Sequence, residues 1–195
     1  GLALNFRDVS ERKVLEEQLR KLAFHDPLTL LANRSLFWNR VEHALALAHR
    51  SQQDVAVMFL DLDNFKNVND SMGHDAGDRL LQAAAQRLVK STRPSDTVAR
   101  LGGDEFAILL EGIRSETDVE RIAAPITEAF NRPLLLDGRE IDSSASIGVA
   151  CSRPGDDAEQ LLRNADIAMY NAKAAGKARF VLFKPHMQEQ LHDRL

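Results

Sequence analysis

The sequence predicts a mixed α/β domain of the α+β class, in which helices flank a central sheet that contains hairpins. Apolar runs typical of strands alternate along the chain with apolar residues at helical spacing. Glycine turns, Gly102-Gly103 and Asp137-Gly138, separate two pairs of strand-like runs, and such turns join antiparallel neighbours. These hairpins exclude a purely parallel, doubly wound sheet.

The first predicted element is a helix near the N-terminus. Leu15, Leu19 and Leu22 form one helical stripe that runs to about residue 23, and Pro27 ends the helix. The stripe fits a plain amphipathic helix and equally a short coiled-coil connector to a second copy of the chain. It covers too few heptads to decide between the two.

The remaining elements follow from apolar spacing. The continuous apolar run Val55–Leu60 predicts a buried strand. Residues 141–149 alternate branched apolar side chains with smaller or more polar ones, which predicts a half-buried strand. Pro125 is expected to kink or divide its helix. The other predicted strands are 98–101, 106–110, 134–136 and 179–183, and the predicted helices are 37–48, 80–88, 119–130 and 158–172.

Length and charge limit the function classes. The chain has 195 residues, enough for one domain or one domain plus an arm. Its 25 basic and 29 acidic residues give a net charge of −4, which argues against a surface that coats nucleic acid. Hydrophobic residues make up 44% of the chain and charged residues 28%, values normal for a domain with a full core.

Membrane and disulfide signals are also weak. The longest apolar run is far shorter than the roughly 20 residues that cross a bilayer, and no signal peptide pattern is visible. A single cysteine, Cys151, excludes an intrachain disulfide framework. We therefore expect a cytoplasmic domain without a membrane span. Because the chain starts at Gly1 and stops within a helical pattern, we expect it to be part of a longer protein.

Acidic and amide residues gather where the buried strand ends. Asp61 and Asp63 come first, at a position suited to a hard cation, and Mg²⁺ favours one or two carboxylates with phosphate oxygens and water. We expect only one of the two acids to be a ligand, with their carboxylates on opposite faces of the strand. Taken alone, this segment also fits a polar loop with turn caps.

A second acidic group, Asp104-Glu105, follows the glycine pair Gly102-Gly103. The glycines leave room for a ligand to approach the backbone. If this hairpin pairs beside the strand Val55–Leu60, Asp104 approaches Asp61, and the two carboxylates form a metal–phosphate site suited to phosphoryl or nucleotidyl transfer. The alternative is a hairpin with solvated acids.

A third group lies near the end of the last helix. Lys173 and Lys177 are four residues apart and are expected to share one helix face beside Tyr170, with an anion between them. The alternative is ordinary complementation of the helix dipole. Since the chain lacks P-loop and dinucleotide-binding motifs, a nucleotide site would be of another type.

Taken together, six ordered motifs resemble those of the GGDEF domain family, the diguanylate cyclases, over about residues 25–184. One departure is Ala178, where the family often has Asn after Gly-Lys. The matching segments are Asp26–Arg34, Asp61–Asp70, Gly73–Asp78, Arg100–Phe106, Ser146–Gly148 and Ala165–Lys177.

This resemblance implies a central sheet like the palm of nucleotide cyclases and the reaction 2 GTP → cyclic di-GMP + 2 pyrophosphate. Each half-site would hold one GTP with two Mg²⁺ or Mn²⁺ ions, and two domains would face each other as a homodimer. A non-catalytic receptor for GTP or cyclic di-GMP, or a structural dimerisation module, is the alternative.

The resemblance also assigns roles to individual residues. Asp61, the backbone carbonyl of Leu62 and Asp104 match the metal ligands. Asp104 also matches the acceptor of the 3′-hydroxyl proton, with Glu105 close to the same metals. The substrate-binding positions are Gly102 and Gly103 at the hairpin, Asn69 and Asp78 for guanine, His74 near the nucleotide, and Lys66, Lys173 and Lys177 for the phosphates, Lys66 being counted with the catalytic group.

Arg93 and Asp96 resemble the family's R-x-x-D site, at which bound cyclic di-GMP inhibits the enzyme. Arginine can bind both phosphate and guanine through paired hydrogen bonds. The alternative is a turn with a salt pair. A second arginine is expected from a neighbouring helix, and Arg114 and Arg121 are both candidates.

Both ends of the chain resemble junctions to other domains. Residues 1–24 are expected to be a signalling helix that follows a PAS sensor domain. Residues 25–184 form the cyclase domain, and residues 185–195 a linker towards an EAL phosphodiesterase domain.

Overall fold

The computed structural model describes residues 22–51, 53–136 and 138–188 of the chain. The predicted N-terminal helix and the C-terminal linker fall largely outside these residues. The described elements, in chain order, are α1 (Arg34–Ser51), β1 (Asp54–Asp63), α2 (Phe65–Met72), α3 (His74–Ser91), β2 (Thr97–Gly102), β3 (Glu105–Ile113), α4 (Glu116–Phe130), β4 (Leu134–Leu136), β5 (Arg139–Ile141), β6 (Ser144–Cys151), α5 (Ala158–Ala174) and β7 (Phe180–Leu182).

A five-stranded sheet with the order β2-β3-β1-β6-β7 forms the centre of the domain. The central strand β1 pairs antiparallel with both β3 and β6, whereas β7 runs parallel to β6. Strands β4 and β5 form a separate two-stranded hairpin. The hairpin at Gly102-Gly103 and the mixed architecture are therefore confirmed. A second hairpin is also present, but its second strand is the short β5, and the predicted strand 141–149 is largely β6 of the main sheet.

Strand β1 is buried on both faces because helices cover both sides of the sheet. Met58 and Leu60 point towards α3 and α4, and Val55 and Val57 point towards α1 and α5. Full burial of each such side chain contributes roughly 1.5–3 kcal/mol. This double layer fixes β1 along its length, so the polar residues at its end emerge from a rigid support.

Strand β6 differs from its predicted half-buried form, since nearly all of its residues are buried. The small residues on its second face contact helix α5 and not water. A Cβ atom at Gly148 would lie 2.0 Å from the backbone nitrogen of Met169 and 2.1 Å from the carbonyl oxygen of Ala165. The alternation therefore reflects close helix packing.

Two helices also differ from the prediction. The segment that also fitted a polar loop after β1 contains the short helix α2, which has no fully buried residue but packs Phe65 and Val68 against the core. Helix α4 runs through Pro125 without division. Pro125 lies on the exposed face, where water can satisfy the carbonyl freed by the missing N–H.

Within the described residues, the helices lack the length and hydropathy needed to cross a bilayer.

Candidate active site

The end of β1 and the start of β3 bring two acids together. Asp61 lies directly opposite Glu105 in the antiparallel register. The backbone N–H of Leu62 donates to the carbonyl oxygen of Asp104 at 3.2 Å. The predicted adjacency of the buried strand and the glycine hairpin is confirmed. Like charges directly opposite each other destabilise a strand pair, so this arrangement favours a cation nearby.

The hairpin between β2 and β3 depends on glycine and on one arginine. Gly102 and Gly103 have φ values of 142° and 52°, a region in which a side chain is strained. The Arg100 guanidinium donates to the carbonyl oxygen of Gly103 at 3.1 and 2.8 Å and to both carboxylate oxygens of Asp26 at 3.2 and 3.1 Å. Asp104 lies in the turn that these contacts hold, and not on a strand.

Burial raises the pKa of the Asp61 carboxyl above its ordinary value, and the charges of Asp104 and Asp63 add to the rise, although Lys173 opposes it. Burial likewise raises the pKa of Glu105, and the negative charge of Asp61 adds to the effect. Each acid thus disfavours ionisation of its neighbour. Raised carboxyl pKa values clustered at a strand end are typical of functional sites.

A lysine stands against this acidic group. Lys173, near the end of α5, places its Nζ atom 2.6 Å from the Asp61 carboxylate. The Lys173 side chain is partly exposed and that of Asp61 largely buried. A flexible lysine can leave this contact for a phosphate when another cation neutralises the carboxylate.

The expectation that Asp61 and Asp63 lie on opposite faces is wrong, because residues two apart in a strand share a face. Asp61 and Asp63 differ instead in their hydrogen-bond partners. Asp63 accepts bonds from the hydroxyls of Ser144 and Ser146 and from the backbone N–H of Ala178. Both oxygens of Asp63 therefore have hydrogen-bond donors, whereas Asp61 forms an ion pair with the partly exposed Lys173.

The shared helix face expected for Lys173 and Lys177 is also wrong, because α5 ends at Ala174. Lys177 lies in the following loop with a positive φ of 62°. The two lysines nevertheless converge on the end of β1. Lys177 donates from Nζ to the side-chain oxygen of Asn64 at 2.9 Å, one residue beyond that strand.

The residues expected to contact the nucleotide lie on α2 and α3. Lys66 is exposed in the first turn of α2, and His74 and Asp78 are exposed near the start of α3. Asn69 lies in the second turn of α2, and the two helices meet at Gly73. Because only Asn64 separates β1 from α2, these helices begin beside the acids.

Asn69 has an unusual environment. Its side-chain oxygen is buried and, within the described residues, accepts no hydrogen bond. Buried polar atoms in folded proteins are normally paired, and an unpaired one points to a missing ligand or water. Gly77 on α3 leaves the space for this side chain, since a Cβ atom there would lie 1.9 Å from the Asn69 oxygen.

Two charged residues that the sequence analysis did not select join the site. Asp166 on α5 raises the pKa of Glu105, and Arg34 on α1 lies 3.8 Å from the Glu105 carboxylate. Both line a cavity of about 440 Å³ together with Trp38 and Glu105. Asp166, Tyr170 and Lys173 lie at positions i, i+4 and i+7 of one helix face, which is the signal that could have revealed Asp166.

The Arg93 and Asp96 pair lies in the turn between α3 and β2. The backbone N–H of Arg93 donates to the Asp96 carboxylate at 3.0 Å, and the Asp96 N–H donates to the Arg93 carbonyl at 3.0 Å. The Arg93 side chain is exposed. Arg121, one of the two candidates for the second arginine, forms an ion pair with Asp118. The inhibitory role of the Arg93–Asp96 turn stays a prediction.

The donor set suits a divalent ion that is shared with a ligand. Within the described part of the chain, no three acidic, histidine or cysteine side chains are arranged to enclose a metal by themselves. The site instead offers Asp61 and Asp104 beside exposed glycine backbone. Mg²⁺ typically keeps only one or two carboxylate ligands and takes the rest from phosphates and water. The residues present therefore fit such an ion when phosphate is bound.

Comparison with known sequences identifies one family. The model of the family described as "Diguanylate cyclase, GGDEF domain" matches residues 23–179. A bifunctional diguanylate cyclase/cyclic di-GMP phosphodiesterase of Pseudomonas aeruginosa, MucR, is 42% identical over 180 residues, which are 91% of this chain. The match covers 26% of MucR, so the chain spans about a quarter of that relative.

Solved structures give the same result. The GGDEF domain of TpbB from Pseudomonas aeruginosa is 41% identical, with a TM-score of 0.83 over 86% of this chain and 99% of that one. The coiled coil and GGDEF domain of DgcB from Caulobacter crescentus, solved in complex with cyclic di-GMP, is 29% identical. Its TM-score is 0.81 over 93% of this chain and 96% of that one.

Proposed function

This chain belongs to the GGDEF domain family, and on that premise we propose that it is a diguanylate cyclase domain that condenses two GTP molecules into cyclic di-GMP. The observation that carries the proposal is the register of β1 and β3. It sets Asp61 opposite Glu105 and bonds Leu62 to Asp104, so three carboxylates meet beside an open glycine turn. This is the arrangement that a metal–triphosphate site requires.

The proposed metal ligands are Asp61, the carbonyl oxygen of Leu62 and Asp104. Bound Mg²⁺ or Mn²⁺, two per site, would offset negative charge on the triphosphate and on the departing pyrophosphate. Asp104 accepts the proton of the attacking 3′-hydroxyl, and Glu105 lies beside the same ions. Lys66, Lys173 and Lys177 bind phosphate oxygens.

In each half-reaction the 3′-oxygen of one GTP forms a bond to the α-phosphorus of the other. The bond from that phosphorus to the bridging oxygen breaks, and pyrophosphate leaves. Two such steps close the ring and release two pyrophosphates. Since each domain has one such site, two copies must face each other, and their encounter supplies the proximity of the reactants.

Guanine selectivity follows from the chemistry of Asn69 and Asp78. An amide can pair with the guanine carbonyl and ring edge, and a carboxylate can accept from its N–H groups. Adenine would leave the Asp78 carboxylate without donors, a loss that discriminates strongly between bases. The unpaired oxygen of Asn69 supports this assignment.

A regulatory site completes the proposal. The exposed Arg93 side chain is available to bind cyclic di-GMP, while Asp96 fixes the turn through its bond to the Arg93 N–H. Product bound there would arrest the enzyme. Substitution Arg93→Ala is expected to remove inhibition by added cyclic di-GMP while the initial rate stays unchanged.

One contact favours a second candidate, a domain that binds nucleotide without turnover. The Asp61 carboxylate already pairs with Lys173 at 2.6 Å, so this acid has a cationic partner without a metal. Such a receptor would bind GTP or cyclic di-GMP tightly, would form no product, and would regulate an attached domain.

Product formation separates the two candidates. The purified chain is incubated with GTP and Mg²⁺ at increasing protein concentration, and cyclic di-GMP and pyrophosphate are quantified. We expect one cyclic di-GMP per two pyrophosphates, with loss of activity in Asp61→Asn and Asp104→Asn but not in Asp54→Asn at the other end of β1. Tight GTP binding without product at every concentration would favour the receptor.

A further inference from the structure

Asp63 is a buried carboxylate that the proposed reaction does not use. It ends β1, and only 7% of its surface is exposed. The Ser146 hydroxyl donates to one carboxylate oxygen at 2.7 Å, and the Ser144 hydroxyl donates to the other at 2.6 Å. The backbone N–H of Ala178 donates to that second oxygen at 3.1 Å. These three hydrogen bonds offset the cost of burying the Asp63 carboxylate and fix its orientation.

The third donor belongs to a strained loop. Helix α5 ends in a Schellman motif, in which the Gly176 N–H bonds to the Lys173 carbonyl and the Lys177 N–H to the Ala172 carbonyl. Gly176, Lys177 and Ala178 have φ values of 107°, 62° and 52°. Two successive non-glycine residues in this region are costly, so other contacts must hold them.

Two of those contacts come from the end of β1. Asp63 fixes the backbone of Ala178, and the next residue, Asn64, accepts the bond from Lys177 Nζ at 2.9 Å. Asn64 itself has a positive φ of 61° at the start of α2. Asp63 and Asn64 therefore join two segments with left-handed backbone, the start of α2 and the loop after α5. The first segment leads to Lys66 and the second contains Lys177, both proposed to bind phosphate.

We propose that Asp63 is a positioning residue, which holds the 176–178 loop in the conformation that presents Lys177 to the triphosphate of the bound nucleotide. This inference rests on the proposed function, because it uses the phosphate role of Lys177. It assigns the two acids of the Asp61-Leu62-Asp63 segment different tasks. Asp61 faces the ions and the phosphates, and Asp63 orders the loop that supplies a cation to them.

Ala178 makes this support more important in this chain. Alanine tolerates a positive φ less well than asparagine or glycine does. The loop therefore gains its conformation from tertiary and capping contacts and not from local preference. Besides Asp63 and the Schellman bonds, Asn131 donates to the Ala178 carbonyl at 3.3 Å and Arg179 to the Lys177 carbonyl at 3.0 Å, but among these contacts only Asp63 holds the Ala178 N–H. Loss of the carboxylate charge should release Lys177 without moving Asn69 or Asp78, which lie on other elements.

Nucleotide binding by Asp63→Asn tests this assignment, with Asp54→Asn as the matched control on the same strand. The probes are a non-hydrolysable GTP analogue and GMP, each with Mg²⁺. We expect Asp63→Asn to weaken binding of the triphosphate about tenfold and of GMP less than twofold. Equal losses for both nucleotides would show a general structural role and would overturn the proposal.

A double-mutant cycle with Lys177→Met gives a second readout. If Asp63 acts through Lys177, the double variant should bind the triphosphate no more than about twofold more weakly than Lys177→Met alone. Additive losses would contradict the proposal. Should Asp63→Asn fail to fold, Ser144→Ala removes one donor and leaves the carboxylate, and a smaller loss confined to the triphosphate is expected.

Hydrogen exchange separates this inference from the proposed function, because it needs no nucleotide. The amide of Ala178 should exchange at least tenfold faster in Asp63→Asn than in Asp54→Asn, and unchanged protection would contradict the proposal. If the unaltered chain bound no guanine nucleotide, the proposed function would fail and the phosphate role of Asp63 with it. The exchange rates would then report on the loop contact alone.

Discussion

Gly77 of α3 lies so close to Asn69 of α2 that a Cβ atom at Gly77 would come within 1.9 Å of the Asn69 side-chain oxygen. The contact partner is the end of a side chain and can move. Gly77 therefore acts on the site through the position of Asn69, the residue expected to bind guanine.

The substitution Gly77→Ala should separate binding from stability. Alanine is favoured over glycine within a helix by about 1 kcal/mol, so the free energy of unfolding should stay the same or rise slightly. Displacement of Asn69 should raise the KM for GTP about tenfold. Steady-state kinetics and urea denaturation measure the two effects.

Gly148→Ala provides the contrast. The added Cβ would meet the backbone of α5 at 2.0 Å, which cannot move aside, and we expect a loss of about 3 kcal/mol in stability. A Gly77→Ala variant that is as unstable as Gly148→Ala, or that keeps the normal KM, would contradict the positioning role.

The ion pair between Arg100 and Asp26 should hold the glycine hairpin between β2 and β3. Their side chains are 12% and 16% exposed, and Arg100 also bonds to the Gly103 carbonyl. Arg100→Met should therefore cost about 2–3 kcal/mol of stability and most of the activity. Arg132→Met, which breaks an exposed pair with Glu128, should cost less than about 1 kcal/mol.

This pair also predicts an acid dependence. Burial alone would raise the pKa of Asp26, but hydrogen bonds from Thr29 and Arg100 outweigh it and hold the pKa below the ordinary 3.8. The ionised Asp26 carboxylate therefore stabilises the fold above pH 3.8, and this stabilisation is lost as the pH falls through the lowered pKa. Stability of Arg100→Met should thus fall less steeply in acid, and an identical profile would argue against the pair.

Glu105 should cost stability at neutral pH. Its pKa is raised above the ordinary 4.5, mainly by burial and by Asp61, so its neutral form is favoured in the folded chain. That contribution is present below pH 4.5 and is lost as the pH rises through the raised pKa. Because the side chain is 43% exposed, the effect is small. Without metal or nucleotide, Glu105→Gln should raise Tm by about 1–2 °C at pH 7 and leave it unchanged at pH 4.

Turnover should depend on the encounter of two copies. Because the proposed reaction needs one half-site from each of two domains, the rate per mole of protein should rise with protein concentration and reach a plateau. Product formation over a hundredfold dilution series measures this. A specific rate that stays constant over the series, with a monomeric chain, would contradict the two-copy site.

Much of the fold follows from sequence patterns with a single interpretation. The run Val55–Leu60 is long and apolar enough to define the central strand, and the glycine pair places the β2–β3 hairpin beside it. From the sequence, Asp104 is expected to approach Asp61 if the hairpin pairs beside this strand; the pairing is present, and it sets Glu105 directly opposite Asp61. Residue types alone left a polar loop and solvated acids as alternatives, and the resemblance to the family supplied the roles expected of these residues.

Other features depend on contacts that local sequence does not encode. The small residues of β6 alternate as in an exposed strand, yet Gly148 is small because α5 crosses it closely. Helix α2 is short and has no fully buried residue, yet Phe65, Val68 and Met72 lie at i, i+3 and i+7, a helical spacing that the sequence analysis overlooked among the polar residues. Lys177 seemed to continue a helix that Gly176 ends, and the partners that distinguish Asp63 from Asp61 come from β6 and the loop after α5.

Binding of Mn²⁺ in the presence of a non-hydrolysable GTP analogue, followed by electron paramagnetic resonance, tests the shared metal site most directly. The site predicts a protein-bound signal for the unaltered chain and for Asp54→Asn. Affinity should fall at least tenfold in Asp61→Asn and in Asp104→Asn. Equal Mn²⁺ affinity in all four proteins would show that the ion binds the nucleotide alone, and would contradict the proposal that β1 and the glycine hairpin share it.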